Sequence, residues 1–336
     1  MDVERPDEGR LRVVATPIGH LDDLSPRAAE ALVSADLVLC EDTRVTARLL
    51  ARVVAAGQRR PPCWSLNAHN EADKTAEVVA RIAAGDQVVL VSDAGTPCLS
   101  DPGQLLVEAV HVAGLRVETV PGPFAAAAAL AASGLAPIPF AFWGFLEKKT
   151  VGRRRQLAAA LTAAPAGGAM THAFYVPGRD LRVVLADVAV VVPEARVVVG
   201  RELTKIHESW LRGTAAVAAA ALLTEQERGE AVLLVEVNAA TAALADSAPP
   251  DLDALVTEAL LARRDRKQAM REIARRCGVG RREVYAAWDR LQAADDRPQA
   301  AGSSAETPDS GRPDSGRPDS GRPDSGRPDP DRPASS

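Results

Sequence analysis

The sequence predicts an α/β fold: two α/β domains with a cleft between them, a small C-terminal helical domain of helix–turn–helix type, and a disordered tail. Three observations carry this. Short apolar, β-branched runs alternate with helical patterns from residue 11 to about 240, as in a sheet built with crossover helices. The runs end repeatedly in loops crowded with Pro, Gly and carboxylates. After residue 240 the composition breaks, first into short basic helical patterns and then into a Pro-Asp-Ser-Gly-Arg repeat.

The 336 residues suffice for two domains and a small third. Hydrophobic residues make up 46% of the chain but aromatics only 3%, so the core must be Ala, Val and Leu. A net charge of -5 gives no whole-chain bias toward nucleic acid, and any basic surface must be local. Cys40, Cys63, Cys98 and Cys277 form no Cys-x-x-Cys pair, which argues against a disulfide framework or a cysteine-rich zinc site and fits a reducing, cytoplasmic compartment. Met1 to Arg12 is too charged for a signal peptide, and the Ala125–Ala132 run is too short to span a membrane, so no membrane contact is expected.

The first domain is expected over 11–122. Leu11–Ala15 reads as a strand ending in Thr16-Pro17-Ile18-Gly19-His20. A helix follows over Pro26–Val33, with Ser25 as N-cap and Pro26 in its first turn. The strand Leu37–Cys40 runs into Glu41-Asp42-Thr43-Arg44, and a helix is expected over Thr46–Ala55. Trp64–Leu66 is weakly strand-like and leads to Asn67-Ala68-His69-Asn70-Glu71. The helix over 73–84 places Ala76, Val79, Ala80 and Ala83 on one face and is closed by Gly85. Val88–Val91 is the most apolar strand. Its following loop, Asp93 to Gly103, packs two carboxylates, two prolines and two glycines into eleven positions. A helix over Leu105–Val112, a strand over Val117–Val120 and Pro121-Gly122-Pro123 complete the unit. Right-handed crossovers put all five strand ends on one edge, where open α/β sheets bind ligands.

The second domain is expected over 123–240. It comprises a helix over Phe124–Ala132, an aromatic strand over Phe140–Phe145, and a basic cluster (Lys148, Lys149, Arg153, Arg154, Arg155) leading into a helix to Leu161. Strands at Ala173–Val176 and Val197–Gly200, a helix over 214–224 and a strand over Ala231–Val237 follow. Residues 239–250 read as a linker. Helical patterns at 251–263, 266–276 and 281–291 form the C-terminal domain, 251–292, with Gly278 breaking the second from the third. Leu255, Leu260, Ala269, Ile273, Val279, Val284, Trp288 and Leu291 supply its core. Ten Lys/Arg against seven Asp/Glu over 251–292 point to RNA or DNA contact, with a solvated helix face as the alternative. From 293 to 336 the chain offers nothing apolar to bury and is expected to be disordered.

No Gly-x-Gly-x-x-Gly follows the first strand, and there is no P-loop, nucleophile elbow or His-Glu-x-x-His. His69 and Glu71 could touch a metal, but hydrogen bonding within their loop is the simpler reading and no metal is expected. An acceptor-rich cleft suits a ligand with amino and hydroxyl donors or a cationic centre. S-adenosyl-L-methionine (SAM) has all three.

The motifs Val14-Ala15-Thr16-Pro17-Ile18-Gly19, Cys40-Glu41-Asp42-Thr43-Arg44, His69-Asn70-Glu71, Ser92-Asp93-Ala94-Gly95-Thr96-Pro97, Ser100-Asp101-Pro102-Gly103, Pro121-Gly122-Pro123, Ser133-Gly134-Leu135, Gly144-Phe145-Leu146 and Arg201-Glu202-Leu203-Thr204-Lys205 occur in this order. In them the chain resembles the SAM-dependent tetrapyrrole-methylase-like superfamily, and within it the small-subunit ribosomal RNA cytidine-2′-O-methyltransferases. The resemblance implies SAM in the cleft, a homodimer, and methylation of small-subunit rRNA. It implies cofactor binding by Pro17, Gly19, Asp93, Ala94, Gly95, Thr96, Ser100, Asp101 and Ala125. His20 and Phe124 depart from the family's usual Asn and Ser, and no His precedes Arg179 in Tyr175-Val176-Pro177-Gly178-Arg179. A 2′-hydroxyl is a weak acid and needs a base or an alkoxide-stabilising cation. Glu41, Asp42, Glu71 and Glu202 are the candidate bases, and Lys205 and Arg44 the candidate cations; each alone could equally be a structural ion pair. A tetrapyrrole methylase on the same fold and a non-catalytic nucleic-acid-binding regulator are the alternatives.

Overall fold

Two five-stranded sheets, each covered by helices on both faces, carry the fold. The structure, a computed structural model, describes residues 8–161, 168–241, 252–262, 264–277 and 280–295. The elements run β1 (Arg10–Val14), α1 (Pro26–Val33), β2 (Leu37–Cys40), α2 (Thr43–Val53), β3 (Cys63–Ser65), α3 (Glu71–Ala83), β4 (Gln87–Leu90), α4 (Gln104–Val112), β5 (Arg116–Val120), α5 (Ala125–Ser133), β6 (Phe140–Phe145), α6 (Thr150–Leu161), β7 (Ala169–Pro177), α7 (Leu181–Val191), β8 (Arg196–Arg201), β9 (Ser209–Gly213), α8 (Ala215–Ala221) and β10 (Glu230–Asn238). Three further helices follow: α9 (Leu252–Leu261), α10 (Arg266–Cys277) and α11 (Arg281–Asp295).

The first sheet has the order β3-β2-β4-β1-β5 and is parallel throughout. Leu32, Leu50 and Val89 pack under α1 and α2 on one face, and Leu37, Ile82 and Leu106 under α3 and α4 on the other. Burial on both faces explains why β2 and β4 read as unbroken apolar runs. α1 begins as its local chemistry dictates, with the Ser25 side chain accepting from the Ala28 amide. α2 starts three residues earlier than expected. Asp42 accepts from the Arg44 amide at 2.8 Å and caps the helix, so Arg44 is helical rather than a loop residue. α3 also begins early, at Glu71, and its buried face is Glu71, Val78 and Ile82 rather than the expected alanine face. The larger side chains take the core because burial free energy scales with apolar area.

The second sheet, β6-β7-β10-β8-β9, is mixed: β6 lies parallel to β7, and β7, β10, β8 and β9 then alternate. Its Val- and Leu-rich face packs on α6, α7 and α8, and α5 covers the opposite face at Ala173, Val198 and Val232. α7 and β9 carried no expectation. The Val-rich sequence of α7 favours strand over helix, and Asp187, on its buried side, bonds to Arg153 and Arg154 at 2.7 and 2.6 Å. Part of the basic cluster therefore points inward as a buried pair.

α9, α10 and α11 enclose Val256, Ala269, Met270, Ile273, Val284 and Trp288. Of the expected core, Leu255 joins them, Leu260 and Leu291 pack at the edge, and Val279 lies outside the described residues, as does Gly278. The linker from residue 242 and the tail from residue 296 also lie outside them. Among the described residues, no helix is long and apolar enough to cross a membrane.

Candidate active site

The loops after β1 and β4 are tied into one unit. Thr16 and Gly95 exchange backbone hydrogen bonds at 2.9 and 3.1 Å. The Thr16 hydroxyl donates to the Ser92 carbonyl, and the Ser92 hydroxyl donates to the Gly95 carbonyl at 3.0 Å. The Thr96 hydroxyl reaches the Pro123 carbonyl at 2.9 Å, joining the loop after β5. The first loop also touches the second sheet, where the His20 amide donates to the Thr204 hydroxyl at 3.0 Å. A Cβ on Gly19 would stand 2.6 Å from both Thr204 Oγ1 and Lys205 Cγ, so only glycine permits this approach. Likewise, a Cβ on Gly144 of β6 would meet Ser100 Oγ at 2.7 Å.

A cavity of about 320 Å³ opens between these loops and the second sheet. Of the residues expected to bind the cofactor, Asp93, Ala94, Thr96, Ser100, Asp101 and Ala125 line it. Pro17, Gly19 and Gly95 do not; Gly19 and Gly95 belong to the loop contacts that brace it. Of the candidate catalytic residues only Lys205 lines it. The far wall, unassigned from sequence, comprises Tyr175, Pro177, Gly200, Leu203 and Ala231–Val232 with their neighbours. Except for Leu203, in the Arg201–Lys205 motif, and Tyr175 and Pro177, in the Tyr175–Arg179 stretch, these are ordinary strand residues that nothing local marks.

Asp93 Oδ1 accepts from the Asp42 amide at 3.0 Å. Asp101 is held by strained backbone, since Cys98 and Ser100 have φ of 67° and 73°. Burial pushes the Asp101 carboxyl up to about 6, reinforced by the charges of Glu41 and Asp93. Burial likewise raises Tyr175 to about 12, while its phenol accepts from the Ala126 amide at the start of α5. Phe124, where the family usually has Ser, packs edge-on against Phe142 with centroids 5.1 Å apart.

Glu71 is 6% exposed and accepts from the amides of Gly103, Leu105 and Leu106 at 3.0, 2.9 and 3.3 Å. The candidate base is thus spent as an anionic cap on α4, where the helix dipole favours it. Asp42 is engaged by Arg44 at 2.6 Å, which lowers its carboxyl to about 2, and the Arg44 side chain projects into solvent. Glu202 accepts from the Glu230 amide at 2.7 Å and from Lys205 at 3.1 Å. Positive φ at Glu202 and Thr204 makes this stretch a turn. Burial opposes the charge of Lys205, but bonds from Glu230 and Glu202 hold its pKa above the ordinary lysine value. Among the described residues, only the Glu41 carboxylate of the four candidate bases makes no hydrogen bond or ion pair.

Residues 10–219 match the family of tetrapyrrole (corrin/porphyrin) methylases. The ribosomal RNA small subunit methyltransferase I of Xylella fastidiosa is 44% identical over 231 residues, 68% of this chain and 81% of that protein. The protein of the same name from Synechocystis is 38% identical over 286 residues, 82% of this chain and 96% of its own. Among solved structures, diphthine synthase aligns with a TM-score of 0.50 at 13% identity, over 70% of this chain and 93% of that one. At that identity the match speaks for the fold alone.

Proposed function

Because this chain belongs to the tetrapyrrole methylase family, we propose that it transfers a methyl group from SAM to the 2′-hydroxyl of a cytidine in small-subunit (16S) ribosomal RNA. The observation that carries this is the identity of 38 to 44% with the ribosomal RNA small subunit methyltransferases I across both sheets. The cavity's chemistry fits the methyl donor. Asp93 and Asp101 offer acceptors for hydroxyl and ammonium groups and negative charge for a cation, and Leu99, Ala125 and Val232 offer apolar surface for a base. When bound, SAM supplies an electrophilic methyl group on sulfur. The chain's own work is to align the acceptor hydroxyl with that methyl and to manage its proton, and alignment alone is worth several kcal/mol. Lys205, the one cation lining the cavity among the described residues, is placed to steady the developing alkoxide. Glu41, the candidate carboxylate left unengaged, stands outside the cavity wall but near enough for its charge to act on Asp101, and takes the proton. The protein acts as a homodimer in the cytoplasm. Apolar Phe140 and Trp143, exposed on edge strand β6, suit self-association.

The test incubates the protein with labelled SAM and, in parallel, unmodified small ribosomal subunits or a tetrapyrrole precursor, with light scattering on the protein alone to read a dimer. Label is expected at a cytidine 2′-oxygen, and Glu41→Gln should cut kcat about 10²-fold or more with SAM affinity intact. Label entering a tetrapyrrole and no RNA would transfer the chain to the other branch of the fold. SAM affinity should also depend on pH. The raised carboxyl of Asp101 means that apo stability falls as pH climbs from the ordinary aspartate range to about 6. A bound cation favours the carboxylate, so SAM binding releases that proton. Affinity should hold above pH 7 and weaken by about tenfold per unit as pH falls below 6, until the bound carboxyl itself titrates. Calorimetry at pH 5 and pH 7.5 reads this, and equal affinities would remove Asp101 from the contact.

A further inference from the structure

The C-terminal helices lie wholly beyond the region matched by the methylase family, which ends at residue 219, and the cavity needs none of them. Their chemistry is nonetheless uneven. Residues 263–282 hold nine Lys/Arg and two Asp/Glu. Four of the acidic side chains nearby are already engaged, and the fifth, Glu283, exposed beside Arg282, offsets one charge of the cluster. Glu272 pairs with Arg264 at 2.6 Å, Asp253 pairs with Arg290 at 2.7 Å, and Asp289 pairs with Arg266. Asp265 caps α10 by accepting from the Gln268 amide at 2.8 Å. Arg266 is further fixed over the rings of Tyr285 and Trp288, at 5.4 and 5.7 Å, and so belongs to the scaffold.

Five cations are left over among those whose side chains the structure describes. Lys267, Arg271, Arg276, Arg281 and Arg282 are all exposed, and none has an acidic partner among the described residues. Lys267 and Arg271 stand one turn apart on α10, which places them on one side of it. Arg276 stands one residue before the end of that helix, and Arg281 and Arg282 begin α11, so these three flank the segment that joins the two helices. One turn further along α11 stands Tyr285, 49% exposed, offering a ring beside the charges. Uncompensated cations repel one another, so a chain that pairs three arginines here and leaves five cations unpaired has kept a surface that a polyanion would complete. An exposed aromatic among arginines adds a stacking surface for an unpaired base or sugar. α9 packs on α6, so the surface is borne by the same body as the second sheet.

We infer that Lys267, Arg271, Arg276, Arg281 and Arg282, with Tyr285, form a docking surface for the phosphate backbone of folded RNA, separate from the cavity and setting substrate affinity rather than turnover. The assignment of RNA rests on the proposed methylation of rRNA. Phosphate contacts of this kind position without reading sequence, so the surface delivers the substrate and the cavity selects the nucleotide.

The test compares the full-length protein with the triple variant Arg271→Gln/Arg281→Gln/Arg282→Gln and with a control, Arg264→Gln, which removes a paired arginine. Binding to naked 16S rRNA is measured across a salt series, alongside SAM affinity and subunit methylation. The slope of log affinity against log salt should become shallower by about 2 to 3 in the triple variant and stay near that of the wild type in the control. KM for the subunit should rise while SAM affinity and kcat hold. An unchanged salt slope and KM in the triple variant would overturn the inference. So would loss of binding to assembled subunits with none to naked rRNA, because the partner would then be a ribosomal protein. A wild-type protein that binds RNA through these residues but methylates none would refute the proposed reaction and leave the docking surface standing.

Discussion

Glu71→Ala is expected to lower the unfolding free energy by about 3 kcal/mol and to weaken SAM binding with it. One carboxylate, almost fully buried, serves three amides at the start of α4. A hydrogen bond to a charged group contributes about 1.5–3 kcal/mol, and a lost helix cap about 1 kcal/mol. The loss would not stay local. Gly103, N-cap of α4 with φ of 128°, closes the loop that carries Ser100 and Asp101 into the cavity wall. A Cβ there would stand 2.6 Å from Leu90 Cδ2, so the loop has one tight seat on the core. Urea denaturation with paired calorimetry reads both effects. Glu71→Gln keeps one acceptor oxygen and should recover most of the stability. If Glu71→Gln instead folds and binds SAM normally but loses turnover, Glu71 is a base after all.

Asp93→Ala is expected to weaken SAM binding by about 10- to 100-fold, the worth of one to two charge-assisted hydrogen bonds. Asp93 lies at the end of β4, in the middle of the parallel sheet, where ligands of open α/β sheets gather. One of its oxygens holds the Asp42 amide, and the other has no partner among the described residues and belongs to a residue lining the cavity. Fold stability should change little, because the Asp42 amide sits at a partly exposed loop end and can turn to water. Asp93→Asn should fall between wild type and alanine. Wild-type affinity in Asp93→Ala, measured by calorimetry, would take this residue out of the donor site.

The elements that were legible in the sequence are those whose causes are local. α1 runs over the expected residues because Ser25 and Pro26 mark its start. β2 and β6 match because their apolar runs are bounded by breaks, Asp36 and Glu41 around β2 and Pro139 before β6. α7 was not legible, since its valines favour strand, and what makes it a helix is packing against α6 and α8 with Asp187 meeting two arginines. β9 is short and polar at both ends, and it exists only because β8 offers an edge to pair with.

The site divides along the same line. Short-range chemistry determined the strand-end loops, their Pro and Gly framing, the acceptor character of Asp93 and Asp101, and the motifs that carry the family. Tertiary structure alone decided which carboxylates are available. Glu71 and Glu202 look alike in sequence to Glu41, but Glu71 is met by amides 32 to 35 residues away and Glu202 by one 28 residues away. It also decided that the first loop closes on a hydroxyl 184 residues along the chain, and that plain strand residues such as Val232 form the far wall. The physical reason is that a side chain's type sets what it can do, while the unpaired groups that folding brings beside it set what it has left to do.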